Sequence, residues 1–146
     1  MLATNHVLAG AAIGVTISNP VFAIPLALTS HIIMDLIPHW GKFPTEKIYL
    51  RVARIDGLLL LSIFILLYYL LPERNIHVII TAFAALFFDL DKPFEHFFGK
   101  YFNHKPLFGK KFLELNIKYQ KEEYSRLHVE ITSFIILSLF ILLFSF

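Results

Sequence analysis

Between Val7 and Ser30 the chain carries no ionisable side chain, and the apolar run continues through His31 to Ile37. A single helix over residues 6–37 would be about 48 Å long at 1.5 Å per residue, against about 30 Å for the hydrocarbon core of a bilayer. Asn19-Pro20, a turn signal, sits in the middle. The stretch therefore reads as two short helices, about 6–18 and 21–37, folded as a hairpin. Further apolar runs cover 57–71 (closed by Pro72), 76–88 and 129–146. The expected fold is all-α: one integral membrane domain over 1–146, a bundle of four or five short helices with a cytoplasmic loop region at about 91–126. These spans fall short of the roughly 20 residues a perpendicular helix needs. Either the bilayer thins locally, or the first hairpin is re-entrant and covered by its neighbours.

A soluble bundle fits poorly. Charged residues make up 16 % of the chain against roughly 25 % in globular proteins. Five nearly uncharged runs leave too little polar surface to cover a 146-residue globule. The net charge of +2 gives no reason to expect a nucleic-acid partner; the expected partner is membrane lipid, with a homo-oligomer left open. Cysteine is absent, so any metal must be held by His and carboxylate.

Two segments are basic: 41–54, with Lys42, Lys47, Arg51 and Arg54, and 91–126, with eight Lys or Arg. Both belong in the cytoplasm by the positive-inside rule, which puts the N-terminus inside and the C-terminus outside in a cytoplasmic (inner) membrane. The second segment holds the echo Phe98-Gly99-Lys100 and Phe108-Gly109-Lys110 and an alternation over 113–119 typical of a short strand. It reads as a folded loop or as a basic, aromatic surface lying on anionic headgroups.

This topology brings chemistry to one face. His6 begins the first helix, His31, Asp35 and His39 end the second, and Asp56 begins the third. Asp89 and Asp91 end the fourth, and Glu130 begins the fifth. The opposite ends hold only Asn19, Glu73, Arg74, Asn75 and His77. Acids at helix starts complement the helix dipole, and that role alone would account for Asp56 and Glu130 if they had no other. His31 and Asp35, at i and i+4, share a helix face, and Pro38 breaks the ladder so that His39 can swing back toward them. Two His and a carboxylate suit zinc or a similar transition metal. Gly10 and Gly14 follow His6 at i+4 and i+8, a small-residue face that lets another helix approach closely. The candidate metal ligands are His6, His31, Asp35, His39, Asp56 and Asp89, enough for one to three ions, zinc first and manganese or iron as alternatives. Asp91 and Glu130 are candidate proton acceptors.

Ser30-His31-Ile-Ile-Met-Asp35 with Pro38-His39 resembles the Ser-His-x-x-x-Asp motif of the membrane-bound metal-dependent hydrolases of bacterial inner membranes. That family is similar to the zinc-dependent phospholipases C and single-strand nucleases. The resemblance is best over the first 40 residues. Asp89-Leu90-Asp91 is similar to the family's Pro-Asp-x-Asp-His element, with Phe88 and Lys92 in place of the Pro and His and with the order of the two motifs reversed. The family's His-Arg-Gly-x-Thr-His-Ser stretch is missing, so the chain looks like a shortened, divergent relative. The resemblance implies phosphoester hydrolysis by metal-activated water on a lipid or lipid-linked phosphate. The other readings of the same layer are a metal-ion or proton transporter and a non-catalytic membrane subunit.

Overall fold

The computed structural model describes residues 1–71, 75–90, 118 and 120–145. Five helices carry the fold: α1 (Ala3–Thr16), α2 (Pro20–Leu36), α3 (Glu46–Leu70), α4 (Asn75–Leu86) and α5 (Leu127–Ser145). A 3-10 turn, Phe87–Leu90, extends α4, and β1 (His39–Trp40) pairs in parallel with β2 (Glu122–Glu123). Asp91, and the loop readings over 91–117, lie outside the described residues.

The break between α1 and α2 follows from local chemistry. Asn19 Oδ1 accepts from Val21 N–H at 3.0 Å, and Pro20 takes the first helical position, where a missing N–H costs nothing. α3 corrects the sequence reading. It begins at Glu46 rather than near residue 57 and runs for 25 residues. Thr45 caps it, Oγ1 accepting from Ile48 N–H, and Glu46 follows in the first turn. The helix thus extends through the basic segment, where an apolar-run criterion sees nothing. β1 and β2 were also not expected, since they join residues more than eighty positions apart by one short register.

α1 is the central element, with 11 of its 14 residues buried. It packs against the other four helices, most extensively along α4. Gly10 and Gly14 make that crossing close. A Cβ on Gly10 would lie 2.7 Å from Ala82 Cα and 2.8 Å from Ala85 Cβ, and one on Gly14 would lie 2.9 Å from Val78 Cα. Val7, Ala11, Val78 and Ala82 fill the contact. At the far end His77 Nε2 donates to Ile17 O at 2.8 Å, which fastens the start of α4 to the end of α1.

Among the described residues much of the exterior is apolar. Val21, Phe22, Leu58, Tyr69 and Leu143 are each about two-thirds exposed or more. Leu127–Phe144 is long and apolar enough to cross a membrane, with mean hydropathy 2.3 and 11 % of it buried.

Gly10→Ala should destabilise the fold by about 1–3 kcal/mol, because the added methyl meets backbone that cannot step aside. Gly57→Ala, on exposed α3 with open space around it, should stabilise by about 0.5–1 kcal/mol. Thermal unfolding of the two purified variants beside wild type checks the opposite signs.

Candidate metal centre

The first turn of α1 positions everything near it. Its opening amides have no capping side chain of their own, since Leu2 stands at the N-cap. Orphan N–H groups at a helix start require acceptors when buried. They find them on two other helices. Asp56 of α3 accepts from Ala3 N–H at 2.9 Å and Thr4 N–H at 3.2 Å, and also from the Thr4 hydroxyl. Glu130 of α5 accepts from Leu2 N–H at 3.1 Å and from the Asn5 amide at 2.6 Å through Oε2. Two carboxylates at the positive end of α1 also complement its dipole. One turn further on, His6 is held in a fixed place.

His6 stacks on His31, with ring centroids 3.8 Å apart and planes 21° from parallel. Phe88 packs edge-on against His31 from the 3-10 turn. His31 Nδ1 lies 2.7 Å from Ala85 O. Ala85 belongs to the last turn of α4, just before the 3-10 turn. A carbonyl only accepts, so Nδ1 carries the hydrogen, and in the neutral ring this leaves Nε2 as the nitrogen with the lone pair. The same logic holds for His39, whose Nδ1 donates to Ile37 O at 2.8 Å. A backbone carbonyl behind the imidazole is the usual way a metal-binding His is oriented. Burial, and then the nearby terminal amine, hold the His39 pKa below the ordinary imidazole value, which keeps its ring neutral at physiological pH.

The three Nε2 atoms converge on Asp35. His6 Nε2 is 3.2 Å from Asp35 Oδ1 and 3.8 Å from Asp89 Oδ2. His31 Nε2 is 3.4 Å from Asp35 Oδ2, and His39 Nε2 is 4.0 Å from Oδ1. None of the three contacts has hydrogen-bond alignment, and all three nitrogens are fully buried. At metal–ligand lengths of about 2.0–2.1 Å, two donors on one tetrahedral zinc lie roughly 3.3–3.4 Å apart. The observed spacings bracket that value, and His6, His31 and Asp89 each offer an atom within 4.8 Å of the others. The donor set of neutral imidazoles and carboxylates suits zinc, manganese or iron.

Asp35 has other partners. The terminal amine of Met1 lies 2.7 Å from Oδ1, and the Gln120 amide donates to Oδ2 at 3.0 Å. The segment carrying Gln120 is laid beside α2 by backbone bonds, Lys121 N–H to Asp35 O at 3.0 Å and His39 N–H to Lys121 O at 3.0 Å. This pairing, together with the break at Pro38, turns His39 toward the cluster.

Of the residues expected from sequence, His6, His31, Asp35, His39 and Asp89 are brought together. Asp56 and Glu130 stand in the same buried layer with their oxygens turned to the start of α1, and Asp91 lies outside the described residues. Gln120 was missed. A glutamine in a loop 85 positions from Asp35 carries no local signal of that contact.

Asp56→Asn should weaken the fold by about 1–2 kcal/mol through loss of the charged acceptor at α1, while leaving metal affinity within a few-fold of wild type. Thermal unfolding and metal titration of the same sample separate the two effects. Comparison of the chain with family models, with curated proteins and with solved structures found no match.

Proposed function

We propose that the chain is an integral membrane, metal-dependent hydrolase acting at the cytoplasmic face on a phosphoester of a lipid or lipid-linked substrate. The observation that carries this reading is the convergence of three buried, hydrogen-bond-free Nε2 atoms on Asp35, beside Asp89. Leaving a buried polar atom without a partner costs about 1–3 kcal/mol. Three such atoms around one carboxylate are a poor arrangement for helix packing and a good one for a cation.

A bound divalent cation would supply charge for a phosphoryl oxygen and would acidify a water molecule. The residues supply the rest. The near-parallel His6 and His31 rings bring their Nε2 atoms to different oxygens of Asp35, so both imidazoles and the carboxylate would be available to hold a bound cation. Backbone carbonyls of Ala85 and Ile37 fix two imidazole tautomers before any ligand arrives. Glu130 Oε1 is buried and accepts no hydrogen bond, which leaves it able to hold a proton released at the site. The apolar exterior and α5 support placement in a bilayer, because a soluble chain rarely exposes so much contiguous apolar surface. Lipid-phosphate chemistry would then meet the polar layer at headgroup depth.

Detergent-purified protein should hold at least one equivalent of zinc, manganese or iron by elemental analysis, and His31→Ala/Asp35→Ala should lose it. Wild type should release phosphate or a phosphorylated headgroup from phosphatidic acid or another anionic phospholipid in mixed micelles. Chelation should abolish that activity and zinc should restore it. Folded wild type that takes up no metal after incubation with zinc would remove the hydrolase reading.

A further inference from the structure

The outward face of α3 remains unaccounted for by the metal centre. α3 turns Asp56, Ile63 and Leu67 inward. Its opposite face carries Lys47, Arg51, Arg54, Leu58, Leu61 and Ile65, which recur every three or four residues and therefore form one stripe along the helix. All six are exposed. Among the described residues none forms an ion pair with the three basic side chains. The upper part of the stripe is a groove of about 500 Å³ lined by Lys47, Leu50, Arg51, Arg54 and Ile55. Further along the same face a second, apolar groove of about 560 Å³ opens between α3 and α4, walled by Leu61, Ile65, Tyr68 and Phe83.

We propose that this face of α3 is a binding site for an anionic glycerophospholipid, with the phosphate against Lys47, Arg51 and Arg54 and an acyl chain lying along the stripe into the apolar groove. Charge selects the headgroup, since three cations on two turns of helix, with no ion-pair partner among the described residues, favour an anion. Geometry selects a lipid over a free anion. The centres of the two grooves are some fourteen residues apart on α3, about 21 Å of helix, comparable with one extended acyl chain. The level of the headgroup is marked independently. Trp40, Phe43 and Tyr49 pack together beside the first turn of α3, with ring centroids 4.8 and 5.7 Å apart, as aromatic side chains do at a membrane–water interface. The inference rests on the membrane reading above, and not on hydrolysis or on the metal.

Native mass spectrometry of the detergent-purified full chain, titrated with phosphatidylglycerol and with phosphatidylcholine of equal chain length, tests it. Wild type should prefer phosphatidylglycerol. The preference should fall about five-fold for each charge removed, and on the order of a hundred-fold in Lys47→Gln/Arg51→Gln/Arg54→Gln. Free glycerol phosphate should not compete at equal concentration, because it lacks the chain. Metal content of the triple variant should equal that of wild type, since none of these residues faces the imidazoles. Equal binding of the two lipids by wild type, a triple variant that keeps the preference, or full competition by glycerol phosphate would each overturn the proposal. Should the variant fail to fold, loss of the wild-type preference in 0.5 M salt, expected of an ionic contact (the screening length falls to only a few Å), gives the same decision. Recovery of the protein from cells in the soluble fraction without detergent would instead overturn the membrane reading, whatever lipid it bound.

Discussion

Asp35 is the point on which the polar layer of this fold turns. Its carboxylate is faced by imidazole nitrogens from α1, α2 and β1, by the terminal amine, and by the Gln120 amide. A lone carboxylate in an apolar bundle is costly, and the cost falls only when cations or donors surround it. The helices around Asp35 meet that demand from several directions, so its surroundings constrain α1, the end of α2, β1 and the segment leading into α5 together. The terminal amine supplies one positive charge. With Nδ1 of His31 and of His39 donating to backbone carbonyls, their neutral rings present Nε2 as acceptors that cannot satisfy one another or the carboxylate, which is why a cation among them is the natural completion.

The other buried acids do different work. Asp56 and Glu130 reach from α3 and α5 to the unpaired amides that open α1. In doing so they bind three helices at one end, while the Gly10–Gly14 face locks α1 to α4 along its length. These two sets of contacts fix the direction of α1, and hence the position of His6, only one turn from the anchored end. The layer therefore contains a scaffold of acids that hold a helix and a cluster of acids and imidazoles that face each other.

How much of this could be read in the sequence depends on range. The apolar runs and Asn19-Pro20 located α1, α2, α4 and α5 because hydropathy and turn chemistry are local. His31, Asp35 and His39 announced a shared face through their own spacing, and Gly10 and Gly14 announced a close crossing without saying against which helix. The first eleven residues of α3 were hidden because Lys47, Arg51 and Arg54 lower the hydropathy, although Thr45-Glu46 is a serviceable start signal and the basic residues keep a helical period. The partner of Asp56, the pairing of His39 with Glu122 and the contact from Gln120 join residues 50 to 85 positions apart, and nothing local encodes them. The ambiguity of an acid at a helix start, anchor or ligand, is one that only three-dimensional placement of its oxygens can resolve.

Among the described residues, the exposed apolar side chains and the buried polar layer make a consistent physical picture: a bundle with large apolar side chains on its outside and with His and carboxylate groups gathered near the start of α1. Its central claim is that imidazole nitrogens of His6, His31 and His39 share a cation with Asp35 and Asp89. X-ray absorption at the zinc edge of zinc-loaded, detergent-purified protein tests this most directly. The account predicts a shell of nitrogen and oxygen at about 2.0–2.1 Å with the outer-ring scattering of at least two imidazoles, reduced in His31→Ala. An oxygen-only shell, or imidazole scattering unchanged by that substitution, would contradict it.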